Sequence, residues 1–346
     1  MTSTITLTIK EKINETSDTV TLIFNEGFEQ LPYKAGQFIT IQINIDNEIF
    51  QREYSLSSSP QVDAHLAITV KRVTNGKVSN YINDFLQVGE KISVLPALGN
   101  LQTNLNISHK RTVVLIAGGS GITPLFSIAK SILAIENNSK VFLLYANSHE
   151  HNIIFKNQLE ELQQTYFGRF NHIHVISKPS EKWYGLEGRI NEVTIIPLLE
   201  QLPVIFPKEA EYFICAPEGL IKSVQTGLNQ LKIPAYKIKK ESFGTNHSNT
   251  EATDTGARTL KIKYQQTEYD VLVNEGQTIL NAANEANIDL PSSCKRGVCT
   301  ACMAKCTSGK VTMNNNTTLN EQELNDNFIL TCISYPLTDD VYIDFD

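Results

Sequence analysis

Cys294, Cys299 and Cys302 stand in the run Cys-Lys-Arg-Gly-Val-Cys-Thr-Ala-Cys, and Cys332 follows further along the chain. The pattern C-x4-C-x2-C…C suits a [2Fe–2S] cluster, which needs soft thiolates brought round two irons from one tight loop and one distant strand. Gly297 would let that loop bend and bring bare backbone near the inorganic sulfides. A structural zinc site is the alternative, but zinc favours paired C-x2–4-C knuckles and here one side is the lone Cys332. Cys306 is an extra thiol, expected in the core.

Three further constellations point to nucleotide chemistry. Arg52-Glu-Tyr54-Ser55 places a planar fork suited to a phosphate, a ring suited to stacking on an isoalloxazine, and a hydroxyl suited to its N5. Each is also an ordinary strand residue. Gly76-Lys-Val78-Ser79 opens a helical stretch, whose free N–H groups suit a diphosphate. Gly118-Gly119-Ser120-Gly121-Ile122-Thr123-Pro124 joins an apolar run to a helical one, with Pro124 expected at the first helical position. It departs from G-x-G-x-x-G, so that fingerprint does not apply.

The elements that must carry these residues divide the chain. Residues 3 to about 100 read as short β runs, among them Phe38–Ile43 with isoleucine on one face, and suggest an antiparallel barrel or sandwich. From Thr112 apolar strands alternate with helices, including one from Pro124 and one at Leu220–Leu231, which implies a parallel sheet covered on both faces. Residues 244–257 have a linker's composition. Beyond them a hairpin, a short helix, the cysteine loop and two strands make a small α+β domain. The expected division is a flavin barrel at 1–108, a doubly wound α/β nucleotide domain at 109–243, a linker at 244–257 and an iron–sulfur domain at 258–346.

Together these motifs resemble the ferredoxin–NADP reductase superfamily with a C-terminal plant-type ferredoxin, a β-grasp domain. In layout the chain is similar to reductase components of multicomponent oxygenases, above all those of phenylacetyl-CoA epoxidase systems. The resemblance implies that Arg52, Tyr54, Ser55, Gly76, Val78 and Ser79 hold the flavin, and that Gly118, Gly119, Gly121 and Thr123 hold the NAD(P) pyrophosphate. It also implies that Cys215 lies beside the nicotinamide, although Ala216 replaces the usual glycine of Cys-Gly-Pro, and that Phe243 shields the flavin. Cys294, Cys299, Cys302 and Cys332 would ligate the cluster, while Ser55, Cys215 and Phe243 would act at the hydride step. FAD is preferred to FMN because the Gly76–Ser79 helix start offers a diphosphate a seat, and Leu95–Leu101 could pack near an adenine. Lys178, after the third α/β strand, favours NADPH over NADH, whereas Asn147-Ser148-His149 lacks an arginine.

The implied activity is hydride transfer from NAD(P)H to FAD, then single electrons through the cluster to an oxygenase-type acceptor, with the phenylacetyl-CoA epoxidase type favoured. A fatty-acyl desaturase, a ring-hydroxylating oxygenase and a hybrid-cluster protein are alternative acceptors. From other classes, a non-catalytic ferredoxin-like carrier and a zinc-stabilised nucleotide-binding regulator remain to be discriminated. The 346 residues are 41% hydrophobic and 19% charged with net charge -7, which disfavours nucleic acid and anionic membranes as partners. No apolar run reaches the roughly 18 residues of a membrane helix, and no signal peptide is read at the N-terminus. A cytoplasmic location is expected. The acidic run Asp339, Asp340, Asp344 and Asp346 would steer a basic acceptor or keep an edge strand from aggregating.

Overall fold

The structure, a computed structural model, describes residues 4–205, 207–243, 256–292, 297, 300–314, 316, 318–319 and 321–345, with residue 321 described for its backbone alone. Residues 1–245 pack as one body and 246–346 as a second. Apart from Gly256 and Ala257, the expected linker lies outside the described residues.

The first sheet comprises β1 (Ile5–Thr16), β2 (Thr19–Phe24), β3 (Phe38–Ile45), β4 (Glu48–Ser55), β5 (Ala67–Lys71) and β6 (Lys91–Val94), with helix α1 (Lys77–Asp84) between the last two. Its order is β4-β3-β6-β1-β2-β5, with antiparallel neighbours throughout. Directly after β4, Leu56 bridges to Ile68 of β5, joining the two outer strands. Asp46 and Asn47 take positive φ of 54° and 65°, the conformation a two-residue hairpin turn needs, and so fix the β3–β4 register. The expected isoleucine face is there: Ile39, Ile41 and Ile43 are buried with Leu7, Leu22 and Val70. Each such side chain contributes about 1.5–3 kcal/mol on burial.

The second sheet is parallel: β7 (Thr112–Gly118), β8 (Lys140–Asn147), β9 (Phe170–Ile176), β10 (Leu186–Glu187), β11 (Glu211–Cys215) and β12 (Ile238–Glu241), in the order β10-β9-β8-β7-β11-β12. Helices α2 (Ile122–Ile135) and α3 (Lys156–Thr165) share one core with it, while α4 (Ile195–Glu200) and α5 (Glu218–Gln230) share the other. Burial on both faces explains why Val113–Ala117 is continuously apolar. Strand order reverses between β7 and β11, so the carboxyl ends of those strands flank the switch point where ligands bind in open α/β sheets. Two expectations change. A 3-10 turn over Gly119–Gly121 leads into α2 at Ile122, so Pro124 is the third helical residue, not the first. Leu101 is not free for an adenine, because it fills the core under α2 with Ala35 and Ile128.

The second body holds β13 (Arg258–Tyr264), β14 (Thr267–Val273), α6 (Ile279–Glu285), β15 (Met303–Ser308), β16 (Val311–Met313), α7 (Glu321–Asn325), β17 (Phe328–Leu330), β18 (Ser334–Pro336) and β19 (Tyr342–Asp344). The main sheet runs β14-β13-β19-β15-β17, and β16 pairs with β18. The acidic closing strand is therefore not an edge: β19 lies parallel to β13 on one side and antiparallel to β15 on the other. Asp344 meets Lys263 of β13 at 3.6 Å, and Asp339, in the turn before β19, meets Arg258 of β13 at 3.0 Å.

At the end of the parallel sheet away from the switch point, Arg111 grips Glu136 through Nε (3.0 Å) and Nη2 (2.7 Å), and Glu211 through Nη1 (2.8 Å). Burial alone would raise the Glu136 carboxyl, but hydrogen bonds from Arg111, Ser139 and His109 outweigh it and hold its pKa below the usual carboxylate value. Such a group contributes stability that is present above its unfolded pKa and lost as pH falls through the folded one. Arg111→Ala strands this fully buried carboxylate and should cost about 3–5 kcal/mol in urea unfolding at neutral pH. Glu136→Gln should make unfolding stability less dependent on pH in the acid range than that of the parent protein.

Candidate functional site

The flavin-type residues sit at the end of β4. Arg52 is exposed opposite Ile41, and its guanidinium contacts only the Gln51 carbonyl among the hydrogen bonds of the described residues, at 2.7 Å. Tyr54 is half-buried opposite Ile39, and burial pushes its phenol pKa up, against the pull of Arg52, so the ring stays neutral. Ser55 is 4% exposed, and its Oγ has no hydrogen-bond partner among the described residues. A buried hydroxyl without a partner costs about 1–3 kcal/mol and calls for an occupant. Strand alternation puts Arg52 and Tyr54 on one side and Ser55 on the other, so a planar group held by all three must cross the strand end.

Gly76 precedes α1. Ser79 Oγ accepts from the Val73 N–H at 3.1 Å and donates to the Gly76 carbonyl at 3.4 Å, while Val78 is buried in the barrel core. Both side chains thus build the helix start. What the start presents is backbone N–H groups, the kind of donor a diphosphate takes.

The glycine loop is held from beneath. Tyr145 Oη donates to the Gly119 carbonyl at 3.0 Å and accepts from the Ile154 N–H at 3.3 Å. Thr123 Oγ1 donates to the Ser120 carbonyl at 2.9 Å, so its hydroxyl shapes the loop. Gly119 has φ of +54° and nothing within 4 Å of where a Cβ would lie, leaving its outer side open for a ligand. Gly121 is the reverse case: a Cβ there would lie 1.9 Å from the Cys215 carbonyl oxygen.

Cys215 is fully buried at the end of β11 and packs in the α2 core. Ala216 fits without strain, since its φ is not positive and its N–H reaches the Glu241 carbonyl at 3.4 Å. Phe243 lies two residues past β12 and is 40% exposed; Glu241 is registered opposite Cys215. At the ends of β8 and β9, the Ser177 N–H donates to the Asn147 carbonyl (2.9 Å) and the Lys178 N–H to the Ser148 carbonyl (2.8 Å). Lys178 is exposed, and its ammonium has no ion pair among the described residues.

In the second body, Cys294 and Cys299 lie outside the described residues. Cys302 and Cys332 are each 1% exposed and held close, because the Thr331 N–H and Oγ1 both donate to the Cys302 carbonyl at 3.1 Å. Gly297 has φ of +73°, and a Cβ there would lie 2.7 Å from Ile333 Cδ1, which accounts for glycine in the cysteine loop. Cys306 donates its thiol to the Ser308 carbonyl at 3.2 Å, and burial raises its pKa, as expected of a core thiol. The structure thus places Arg52, Tyr54 and Ser55 at the end of β4 and the glycine loop at the switch point of the first body, with Cys302 and Cys332 in the second. Tyr145 escaped the sequence reading; its signal is a lone hydroxyl inside a buried strand.

Three family models match the chain: an oxidoreductase FAD-binding domain over residues 4–102, an oxidoreductase NAD-binding domain over 115–226 and a 2Fe-2S iron-sulfur cluster binding domain over 262–337. The ferredoxin reductase component of 3-ketosteroid-9-alpha-monooxygenase from Mycobacterium tuberculosis is 33% identical over 98% of this chain and 95% of its own length. One of the subunits of the 1,2-phenylacetyl-CoA epoxidase from Escherichia coli is 29% identical over 100% and 99%. Phthalate dioxygenase reductase shares the fold, with a TM-score of 0.62 at 21% identity over 99% of this chain and 98% of that one. Among the described residues, no helix is long and apolar enough to cross a membrane. End-to-end similarity at one-third identity, over FAD-binding, NAD-binding and 2Fe-2S domains in that order, makes the chain a member of the family of reductase components of oxygenase systems.

Proposed function

We propose that this reductase takes hydride from NADPH, in preference to NADH, onto FAD held by the 1–108 module, and passes single electrons through a [2Fe–2S] cluster in the 258–346 module to an oxygenase component. The observation that carries the reading is the buried, unpartnered Ser55 hydroxyl at the end of β4, in the same body as the open glycine loop. FAD supplies acceptance of a hydride and release of its electrons one at a time, and the cluster supplies a one-electron carrier.

The residues divide the remaining work. Arg52 neutralises phosphate with an exposed fork that has no ion pair among the described residues, Tyr54 offers a neutral ring face, and Ser55 donates to a ring nitrogen at the reacting edge. The helix start at Gly76, with Val78 and Ser79 shaping it, offers N–H groups to a diphosphate, as Gly118, Gly119, Gly121 and Thr123 do on the nucleotide side. Cys215 and Phe243 flank the place where the nicotinamide must enter. Lys178, exposed and without an ion pair, is positioned for a 2′-phosphate. Cys294, Cys299, Cys302 and Cys332 supply the four thiolates. A cytoplasmic location fits thiolates that must stay reduced. The two relatives serve chemically different oxygenases, and the phenylacetyl-CoA epoxidase type, matched from end to end, is the first acceptor to test.

Anaerobic visible spectra taken before and after NADPH, then NADH, test the whole scheme: flavin bands with longer-wavelength cluster absorption should bleach. A colourless protein that iron and flavin cannot restore overturns it. Ser55→Ala should retain flavin yet slow its reduction roughly ten- to a hundred-fold in rapid mixing, in line with the loss of a hydrogen bond to developing charge. Cys299→Ser should abolish cytochrome c reduction and leave ferricyanide reduction largely intact. Lys178→Ala should raise the KM for NADPH by about tenfold or more, the worth of one charged hydrogen bond, with NADH unaffected.

A further inference from the structure

Helix α2 starts directly after the glycine loop, and its far half meets the segment that directly follows the flavin strand. Ser127, Lys130 and Ser131, spaced i, i+3 and i+4 on one face, make the contacts. Ser127 Oγ donates to the Ser58 carbonyl at 2.5 Å. Ser131 Oγ donates to its own helix at the Ser127 carbonyl (2.8 Å), which leaves its oxygen to accept from Ser59 Oγ at 2.8 Å. Lys130 Nζ pairs with the Asp63 carboxylate, which also accepts the Ser59 N–H at 2.6 Å. The Lys130 side chain is only 14% exposed and lies over the Phe126 ring at 4.6 Å.

We infer that the Lys130–Asp63 ion pair, with the serine contacts beside it, is a positioning device that sets the separation between the nucleotide loop and the flavin strand. The inference rests on the function proposed above. Nearby contact between the two modules is apolar, with Ala35 and Leu101 against Ile128. Apolar packing is non-directional and lets surfaces slide, whereas three hydroxyls and a half-buried ion pair specify one register. A paired charge in such a place is weak evidence of stabilisation, because its desolvation offsets most of the attraction. Register is what it supplies. α2 is a rigid rod from Gly121, so a shift at Lys130 is carried to the loop at its start. Hydride transfer needs reacting atoms about 3–3.5 Å apart, and a 1 Å displacement costs roughly a hundredfold in rate.

The test uses the full flavin-loaded chain and the variants Lys130→Met, Asp63→Asn and Lys130→Arg. Lys130→Met and Asp63→Asn should keep the parent's flavin content and bind NADP+ within about twofold of it. Their flavin reduction in rapid mixing should fall roughly ten- to a hundred-fold, and the long-wavelength charge-transfer absorbance of stacked nicotinamide and flavin should weaken. Lys130→Arg, which keeps the ion pair, should recover both. Parent-like reduction and charge-transfer absorbance in Lys130→Met and Asp63→Asn would overturn the inference, as would a loss of rate that only tracks loss of folded protein. A parent protein reduced by neither nucleotide would instead overturn the function beneath it.

Discussion

Where β7 and β11 lie side by side, the backbone of Gly121 runs so close to the Cys215 carbonyl that a methyl group would sit 1.9 Å from its oxygen. That approach fixes the launch point of α2, and with it the place of every loop atom offered to a nucleotide. It also accounts for Ala216. The residue beside the contact needs only ordinary φ and a small side chain, so alanine serves there. Gly119, two positions earlier, has the opposite surroundings, open on the side where a Cβ would project. One short loop thus holds one glycine for closeness and one for access. Tyr145 beneath it converts a buried phenol, whose pKa burial raises, into a fixed support.

Much of this was legible in the sequence, for stated physical reasons. The Cys spacing, the alternation of Ile39, Ile41 and Ile43, and the continuous apolar run of β7 are local patterns, and local patterns survive in a linear reading. The Ser127–Ser58 contact spans 69 residues and the Lys130–Asp63 pair 67, so no window along the chain holds both partners. Their residue types are common on helix surfaces and turns, and only the packing of two modules gives them meaning. The displaced helix start has a similar origin: the 3-10 turn over Gly119–Gly121 is dictated by contact with Cys215 and Tyr145, not by Pro124.

The acidic closing strand misled for an electrostatic reason. Charges usually mark an edge, because an unpaired strand edge invites further strands and charge repels them. Here Lys263 and Arg258 on β13 neutralise Asp344 and Asp339, and Ile343 alone faces the core, so a three-residue strand enters the sheet interior. Ion pairing also runs through the first body, where Arg111 bridges Glu136 and Glu211 at the far end of the parallel sheet.

The central place of β19 also orders events in time. Without it, the β13–β14 hairpin and the β15–β17 pair are two fragments with no shared strand. Joining them needs partners such as Arg258 and Asp339, 81 residues apart, to find each other. Contacts so distant in sequence form slowly, because loop-closure entropy is lost before the contacts are gained. The cysteine segment lies between the two fragments in the chain. Completion of the main sheet around β19 should therefore be the slow step in the folding of this domain.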